Sequence, residues 1–194
     1  NQAIQAINDL GDPTSLAPQK AEALMCRAYA HFVLANVFCL PYNPETADKD
    51  MGIPYSEKPE TQVIVKYERG TMAELYEKIN ADIEAALPYI SDDVYTVPKY
   101  HFNKKAAYAF ATRFNLFYVK PDKSNYQKVV EYATQVLGSN PDRVLRQMSN
   151  YIPLGAGDVT NAYVQASENC NLLIIPLLDE SAPEVGHVTI MGGK

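Results

Sequence analysis

The stretch EALMCRAYAHFVLANVF, residues 22–38, most constrains what this chain can fold into. Small and large apolar side chains recur at steps of three or four residues, and charge is nearly absent after Arg27. This periodicity predicts a helix with one buried face. The expected buried stripe contains Ala21, Leu24, Ala28, Phe32 and Ala35. Because alanines let a neighbouring helix approach closely, the stretch predicts tight packing of helix on helix.

An internal echo indicates that this helix belongs to a repeated unit. The segment RAYAHF at 27–32 aligns with AAYAFA at 106–111, so that an Ala-Tyr-Ala triplet coincides in the two. Each triplet lies in the first helix of a predicted antiparallel pair. The second pair, 103–137, is close to the roughly 34 residues of a tetratricopeptide repeat. We therefore predict a mainly α fold built from two tetratricopeptide-like helix pairs.

Capping signals mark where the later helices begin. Thr71 and Glu74 fit a capping box, in which each side chain accepts a hydrogen bond from the other residue's backbone N–H. Ser124 and Gln127 fit a second box, and Asn103 is a plausible cap between them. The apolar stripes expected in these three helices are Tyr76, Ile79, Ile83 and Ala86, then Ala106, Phe110, Phe114 and Phe117, then Val129, Val130, Ala133 and Val136.

The polar face of the second helix is expected to be solvated. Asp82 and Glu84 lie off its apolar stripe. Lys78 precedes Asp82 by four residues, a spacing at which opposite charges on a helix surface attract one another weakly. The pair is therefore interpreted as an exposed ion pair of little consequence for stability.

A long insertion separates the helices of the first pair. Residues 39–70 contain four prolines and few regular apolar steps, which predicts an irregular segment. Loops of this length in a compact domain are usually functional or disordered. Three tyrosines along it, Tyr42, Tyr55 and Tyr67, favour order because rings tend to dock.

We divide the chain into two regions. Residues 1–140 are the helical-repeat region with its insertion, and residues 141–194 are a turn-rich, irregular segment in which 172–175 is a candidate strand or core segment. The boundary follows the change from periodic to irregular apolar spacing after Pro141.

Charge and residue counts exclude several classes of protein. A net charge of −6 argues against a nucleic-acid partner, which needs a basic face. No apolar run reaches the 18 residues of a membrane span. Three cysteines and three histidines lack metal-ligand spacing, and no nucleophile lies beside a base. We therefore predict no metal, no cofactor, no catalytic residue and no enzyme activity.

Four stretches resemble the SusD/RagB family of outer-membrane nutrient-binding lipoproteins of Bacteroidetes. EALMCRAYAHFVLANVFCLPYN resembles the family's E-A-x-x-x-R-A-x-x-x-F-x-L helix and the break after it. GIPYSEKPE with YERGTMAELYEKINADIEAAL is similar to its Gly-hydrophobic-Pro loop and the following helix. NKKAAYAFATRFNLFY and NYQKVVEYATQVL are similar to its next pair. The resemblance covers residues 20–138. Cys39 and Thr112 depart from it, where the family usually has glycine and often alanine.

The resemblance implies a lipid-anchored protein on the outer face of the outer membrane. Its implied function is non-catalytic binding of an oligosaccharide, or of another nutrient such as a peptide, and delivery to a SusC-like TonB-dependent transporter. The repeats would serve as scaffold and transporter contact, and residues 141–194 would begin the ligand-side region. The lipobox cysteine is not in this sequence, so we expect a piece of a longer protein.

The candidate ligand-binding residues are Tyr42, Asn43 and Tyr55 in the insertion. A sugar presents apolar C–H faces and hydroxyl edges, which suit flat rings and amide groups. Each residue could instead simply hold the insertion against the repeats. For the whole chain, the alternative is a generic tetratricopeptide-type scaffold for protein partners. A signal peptide with a lipobox and a neighbouring transporter gene would distinguish nutrient capture from that scaffold.

Overall fold

Six α-helices and one two-stranded sheet form the regular structure of residues 1–165, 167–177 and 187–190, which the computed structural model describes. The helices are α1 Gln2–Asp9, α2 Ala17–Phe38, α3 Met72–Ala86, α4 Lys104–Phe117, α5 Asn125–Leu137 and α6 Ala156–Tyr163. The strands are β1 Ile174–Leu177 and β2 His187–Ile190, paired antiparallel with Ile174 opposite Ile190. Short 3-10 turns lie at Thr14–Leu16, Leu87–Tyr89, Pro98–Tyr100, Pro141–Arg143 and Met148–Tyr151.

Helix α2 contains the stretch from which the fold was predicted. Pro18 lies in its first turn, where the missing N–H costs nothing. The helix ends where Cys39 adopts an extended conformation before Pro41. All five residues of the predicted stripe are buried, namely Ala21, Leu24, Ala28, Phe32 and Ala35. The prediction for this helix is confirmed.

The two helix pairs stack through alanines and rings. Helix α2 packs along α3, and α4 packs along α5. Ala28 and Ala107, the matching positions of the internal echo, are both completely buried. The rings of Tyr29 and Phe110 meet edge to face at 5.2 Å, and those of Phe32 and Phe114 at 5.9 Å. Aromatic edges thus join α2 to α4, and the alanines lie in the buried core of their own helix pairs.

Two of the three predicted caps are present. In α3, the Thr71 N–H donates to Glu74 Oε2 at 2.8 Å, and the Glu74 N–H donates to Thr71 Oγ1 at 3.2 Å. In α4, Asn103 Oδ1 accepts from the Ala106 N–H at 3.0 Å. These bonds satisfy N–H groups that have no partner within the helix.

The predicted capping box at Ser124 is wrong. The Ser124 backbone is already helical, with φ −58° and ψ −26°, whereas a capping residue is extended. Its hydroxyl donates instead to Asp122 Oδ1 at 2.8 Å, and Gln127 donates to Glu131. A box is therefore not set by residue types alone, because it also needs the backbone of its first residue to be extended.

Two stripe residues are more exposed than predicted. Phe117 ends α4, where the ring of Phe32 contacts its edge at 5.4 Å and the rest of the side chain faces outward. Val130 in α5 is also exposed, while Val136 in the same helix is buried. Helical periodicity predicted which face of each helix packs against its neighbours. It did not predict how much of each side chain on that face is covered.

The first half of the insertion is folded onto the start of α3. Met51 and Thr71 form an antiparallel bridge, and the Gly52 N–H donates to the Gly70 carbonyl at 2.8 Å. A side-chain Cβ at Gly52 would lie 2.8 Å from the Thr71 carbonyl oxygen, so only glycine allows this approach. The buried Ala47 accepts from the Ala73 N–H. The first half of the insertion is therefore attached to α3.

The segment after residue 140 returns to the helical region. The Asn103 amide donates to the Leu172 carbonyl, and Lys99 Nζ donates to the Glu168 carbonyl at 2.8 Å. The candidate strand at 172–175 overlaps β1, which begins at Ile174. Of the predicted segment 141–194, residues 166, 178–186 and 191–194 lie outside the described residues. The division at residue 140 stays a prediction.

Candidate functional site

Tyr55 anchors the second half of the insertion to the helical platform formed by α2 to α5. Its ring stacks on the buried imidazole of His31, with centroids 4.0 Å apart and planes at 29°. Its hydroxyl donates to Asp82 Oδ2 in α3. One tyrosine of the insertion thus contacts both helices of the first pair.

Asp82 is buried and ion-paired, which corrects the prediction that it faces solvent. Arg27 of α2 donates from Nε to Oδ2 at 2.6 Å and from Nη2 to Oδ1 at 2.7 Å. The two side chains are only 12% and 10% exposed. The planar guanidinium matches the carboxylate, which allows the charge to be buried. Lys78, the predicted partner, pairs instead with Glu57 of the insertion at 3.0 Å.

The hydroxyl of Tyr55 and the guanidinium of Arg27 both keep their protons around neutral pH. Burial, and next the hydrogen bond to Asp82, raise the pKa of Tyr55 above its ordinary value, so its hydroxyl remains a donor. The hydrogen bond to Asp82 raises the pKa of Arg27. A buried ion pair that also accepts from a tyrosine hydroxyl is suited to holding the insertion in place.

His31 completes the cluster through both ring nitrogens. The Ser56 N–H donates to Nε2 at 3.0 Å, and Nδ1 lies 2.8 Å from the Arg27 carbonyl oxygen. An amide N–H can only donate, so these partners assign the neutral tautomer with its proton on Nδ1. Burial lowers the pKa of His31 below its ordinary value.

Tyr42 holds the first half of the insertion at a different place on α3. Its ring lies 4.7 Å from that of Tyr76 and meets Tyr118 edge to face at 5.1 Å. Tyr76 and Asp82 are six residues apart, or about 9 Å along the helix axis. Tyr42 and Tyr55 are therefore two separate attachment points.

Asn43 organises a turn. Its Oδ1 accepts from the Glu45 N–H at 3.0 Å, and its carbonyl oxygen accepts from the Ala47 N–H at 2.8 Å. The side chain is otherwise exposed. Such local bonds are typical of asparagine at loop starts. A ligand-binding role for Tyr42, Asn43 and Tyr55 stays a prediction, beside the structural roles described here.

Two open clefts adjoin Tyr55 and Tyr67, and we refer to them together as the insertion clefts. One, of about 360 Å³, is lined mainly by residues 55–62. The other, of about 470 Å³, is lined by residues 53–55, 67–71 and part of α3. Tyr67 is exposed and donates its hydroxyl to Glu60 at 2.7 Å. The clefts combine tyrosine rings with charged edges, an arrangement that can contact both faces and hydroxyls of a polar ligand.

A family model described as SusD-like, "Starch-binding associating with outer membrane", matches residues 1–116, more than half of the chain.

The chain belongs to the SusD-like family.

Solved structures share the fold of this SusD-like chain. A SusD superfamily protein from Bacteroides thetaiotaomicron VPI-5482 is 25% identical, with a TM-score of 0.68 over 93% of this chain and 36% of its own. A second, from Bacteroides vulgatus ATCC 8482, is 21% identical, with a TM-score of 0.62 over 93% and 39%. A SusD-like carbohydrate binding protein from that organism is 16% identical, with a TM-score of 0.63 over 87% and 32%. No curated protein matches the chain.

These comparisons confirm the mainly α, tetratricopeptide-like fold class and the resemblance from which it was drawn. The SusD-like chain spans between 32% and 39% of the three structures it was compared with. In the part of the chain that the structure describes, no group of acidic, cysteine or histidine side chains is suited to hold a metal ion. None of the helices described there combines the length and apolar character needed to cross a bilayer.

The buried cluster of this SusD-like chain was missed at the sequence level, although one signal pointed to it. Arg27 is the last charge before a long apolar run in α2. A lone cation beside a buried stripe needs a carboxylate partner, because an unpaired buried charge is costly. That reasoning predicts a partner but not its position, and Asp82 lies 55 residues away. The sequence predicted that Tyr67 helps to order the insertion, but it did not predict that Tyr67 lines a cleft.

Proposed function

We propose that this chain is part of a cell-surface protein that binds an oligosaccharide, or another nutrient, without converting it, and delivers it to a SusC-like TonB-dependent transporter. The match of residues 1–116 to the SusD-like family carries the proposal. That family's description names starch binding and association with the outer membrane. Association with the membrane would be through a lipid anchor outside this chain.

In this proposal the stacked helices are the rigid platform. Rings packed between α2 and α4 and the buried pair of Arg27 and Asp82 oppose relative movement of the helices. A binding site on a rigid support loses less conformational entropy when it captures ligand. The irregular segments, with residues 141–194 as the start of the ligand-side region, would supply ligand contacts.

Within the described residues, the insertion clefts are the place where we propose ligand contact. Tyr67 would offer an exposed ring face, and Tyr55 an edge already fixed by His31. Asn43, which lines neither cleft, would offer an exposed amide nitrogen elsewhere on the insertion. Tyr42 would act by holding the loop that carries Asn43, because its ring is packed against Tyr76 and Tyr118.

We propose no catalytic role for the buried cluster. General acid or base catalysis needs a group free to reach the proton it moves. Asp82 already accepts from Arg27 and Tyr55, and both nitrogens of His31 are engaged. These side chains therefore position the insertion.

A glycan array probed with the intact protein tests the binding proposal. We expect at least one oligosaccharide to be retained, and Tyr67→Ala and Asn43→Ala to weaken its retention severalfold. Tyr126→Ala, an equally exposed tyrosine on α5, is the matched control and should leave retention unchanged. Retention of no sugar or peptide would contradict the proposal. Equal retention by all variants would place the ligand outside the insertion.

A generic scaffold for protein partners is the second candidate. Apolar side chains on the outer side of α2 are 39–66% exposed, comprising Val33, Leu34, Val37 and Phe38. Contiguous exposed apolar surface of this kind is common in protein interfaces. Purification of the tagged protein from its native membranes distinguishes the candidates. A co-purifying TonB-dependent transporter favours nutrient delivery, whereas other protein partners without sugar binding favour the scaffold.

A further inference from the structure

His31 holds the insertion in one protonation state only. The Ser56 N–H needs an unprotonated Nε2 as its acceptor, and the Arg27 carbonyl oxygen, 2.8 Å away, takes the proton on Nδ1. A second proton could be added only at Nε2, directly opposite the Ser56 N–H. Protonated Nε2 and the Ser56 N–H would then be two donors facing each other, and no hydrogen bond could form between them.

The same imidazole also supports the residue before Ser56. The ring of Tyr55 stacks on it at 4.0 Å. Further bonds hold the neighbouring backbone carbonyl groups. Asn1 Nδ2 donates to those of Ser56 and Lys58 at 2.9 and 3.2 Å, and Arg27 Nη1 donates to that of Glu57 at 3.3 Å. After this point residues 61–64 are exposed, and Val63 is fully so. Residues 55–57 thus attach the insertion to the helices just before its exposed residues 61–64.

We propose that His31 is a pH-sensitive latch: protonation of Nε2 breaks the bond from the Ser56 N–H, detaches residues 55–60 from α2 and reshapes the insertion clefts.

Charged groups surround the latch from three sides. From α2, Arg27 presents a cation whose ring contact with Tyr55 measures 5.7 Å. From α3, Asp82 presents a carboxylate that Arg27 neutralises. From the insertion, Glu57 presents a carboxylate that Lys78 of α3 neutralises at 3.0 Å.

These groups and the burial of the ring set the direction of the response. Burial lowers the pKa of His31 most, and the Arg27 charge lowers it further. The hydrogen bond to the Arg27 carbonyl and the carboxylates of Asp82 and Glu57 raise it only in part. The latched state therefore binds the proton less well than the released state. Release is favoured as the pH falls.

The size of the effect follows from linkage between protonation and release. A released histidine has an ordinary pKa of about 6.5. Between that value and the lower one of the latched state, the equilibrium constant for release rises by up to about tenfold for each pH unit lost. Above about pH 7.5 it should be constant, because both states are then neutral.

Hydrogen–deuterium exchange of the intact protein, followed by mass spectrometry at pH 7.5, 6.0 and 5.0, tests the latch. After correction for the intrinsic pH dependence of exchange, we expect protection of the Ser56 amide, whose N–H donates to His31, to fall as the pH is lowered from 7.5 to 5.0, by up to about tenfold for each pH unit below about 6.5. In His31→Gln, whose amide oxygen can accept from the Ser56 N–H at every pH, protection should not change. His101→Gln is the control, because His101 bonds to Glu22 and not to the insertion. It should behave like the unmutated protein.

Two results would overturn the latch. One is an equal loss of protection in His31→Gln, and the other is constant protection in the unmutated protein. Should His31→Gln fail to fold, nitrogen NMR of the unmutated protein decides the question. The latch requires Nε2 of His31 to be unprotonated at pH 7.5, and its protonation to coincide with loss of the Ser56 amide signal. Protonation without any change at Ser56 would refute it.

Discussion

Removing Arg27 should expose how strongly the first helix pair depends on its buried ion pair. In Arg27→Ala, the carboxylate of Asp82, only 10% exposed in the unmutated protein, would lose the two bonds of 2.6 and 2.7 Å that compensate its charge. Breaking a buried pair in this way costs about 3–5 kcal/mol, whereas an exposed pair contributes about 0–1 kcal/mol. We expect the unfolding free energy to fall by the larger amount.

A double variant separates loss of the pair from loss of packing. Arg27→Met with Asp82→Leu removes both charges and keeps apolar volume, which is often close to neutral for buried pairs. Here the hydroxyl of Tyr55 would lose its acceptor, at a cost of about 1–3 kcal/mol. The double variant should therefore be more stable than Arg27→Ala.

Urea unfolding followed by circular dichroism measures these differences. The control is Lys78→Ala, which breaks the exposed pair with Glu57, whose side chains are 47% and 55% exposed. It should cost less than about 1 kcal/mol. If Arg27→Ala costs no more than this control, the cluster does not stabilise the platform and the reasoning fails.

Two further substitutions test the insertion and its connection to α3. Thr71→Ala removes the capping box and should cost about 1 kcal/mol in unfolding free energy, whereas Ser124→Ala, which makes no cap bond, should cost less. Gly52→Ala should cost about 1–3 kcal/mol, because its Cβ would lie 2.8 Å from a backbone oxygen. Gly157→Ala in α6 meets nothing within 4 Å and should be neutral or stabilising in the same urea titration.

The helices were predictable because their determinants are local. The buried stripe of α2 and the Asn103 cap depend on residues within a few turns of each other, and both are present. The echo of Ala28 at Ala107 also identified two completely buried positions, because repeated units bury equivalent positions. The Ser124 box failed because residue types do not determine the backbone angle that a box requires.

The candidate site was less predictable because it is assembled across the chain. Asp82 is polar and off the apolar stripe, so periodicity assigned it to solvent, and only the fold brings Arg27 to it. No sequence pattern around His31 indicated a role for it, because it lacks metal-ligand spacing. In the structure, it binds the insertion through the Ser56 N–H. The sequence predicted that the ring of Tyr55 docks on the helices, but it did not predict the residues that the ring contacts.

Isothermal titration of the intact protein with oligosaccharides, with chromatographic analysis of the sugar afterwards, tests the central claim most directly. A SusD-like capture protein should release or absorb heat saturably with at least one sugar, and the sugar recovered should be chemically unchanged. Conversion of the sugar, or absence of binding to starch oligosaccharides and to every other glycan and peptide offered, would contradict the account.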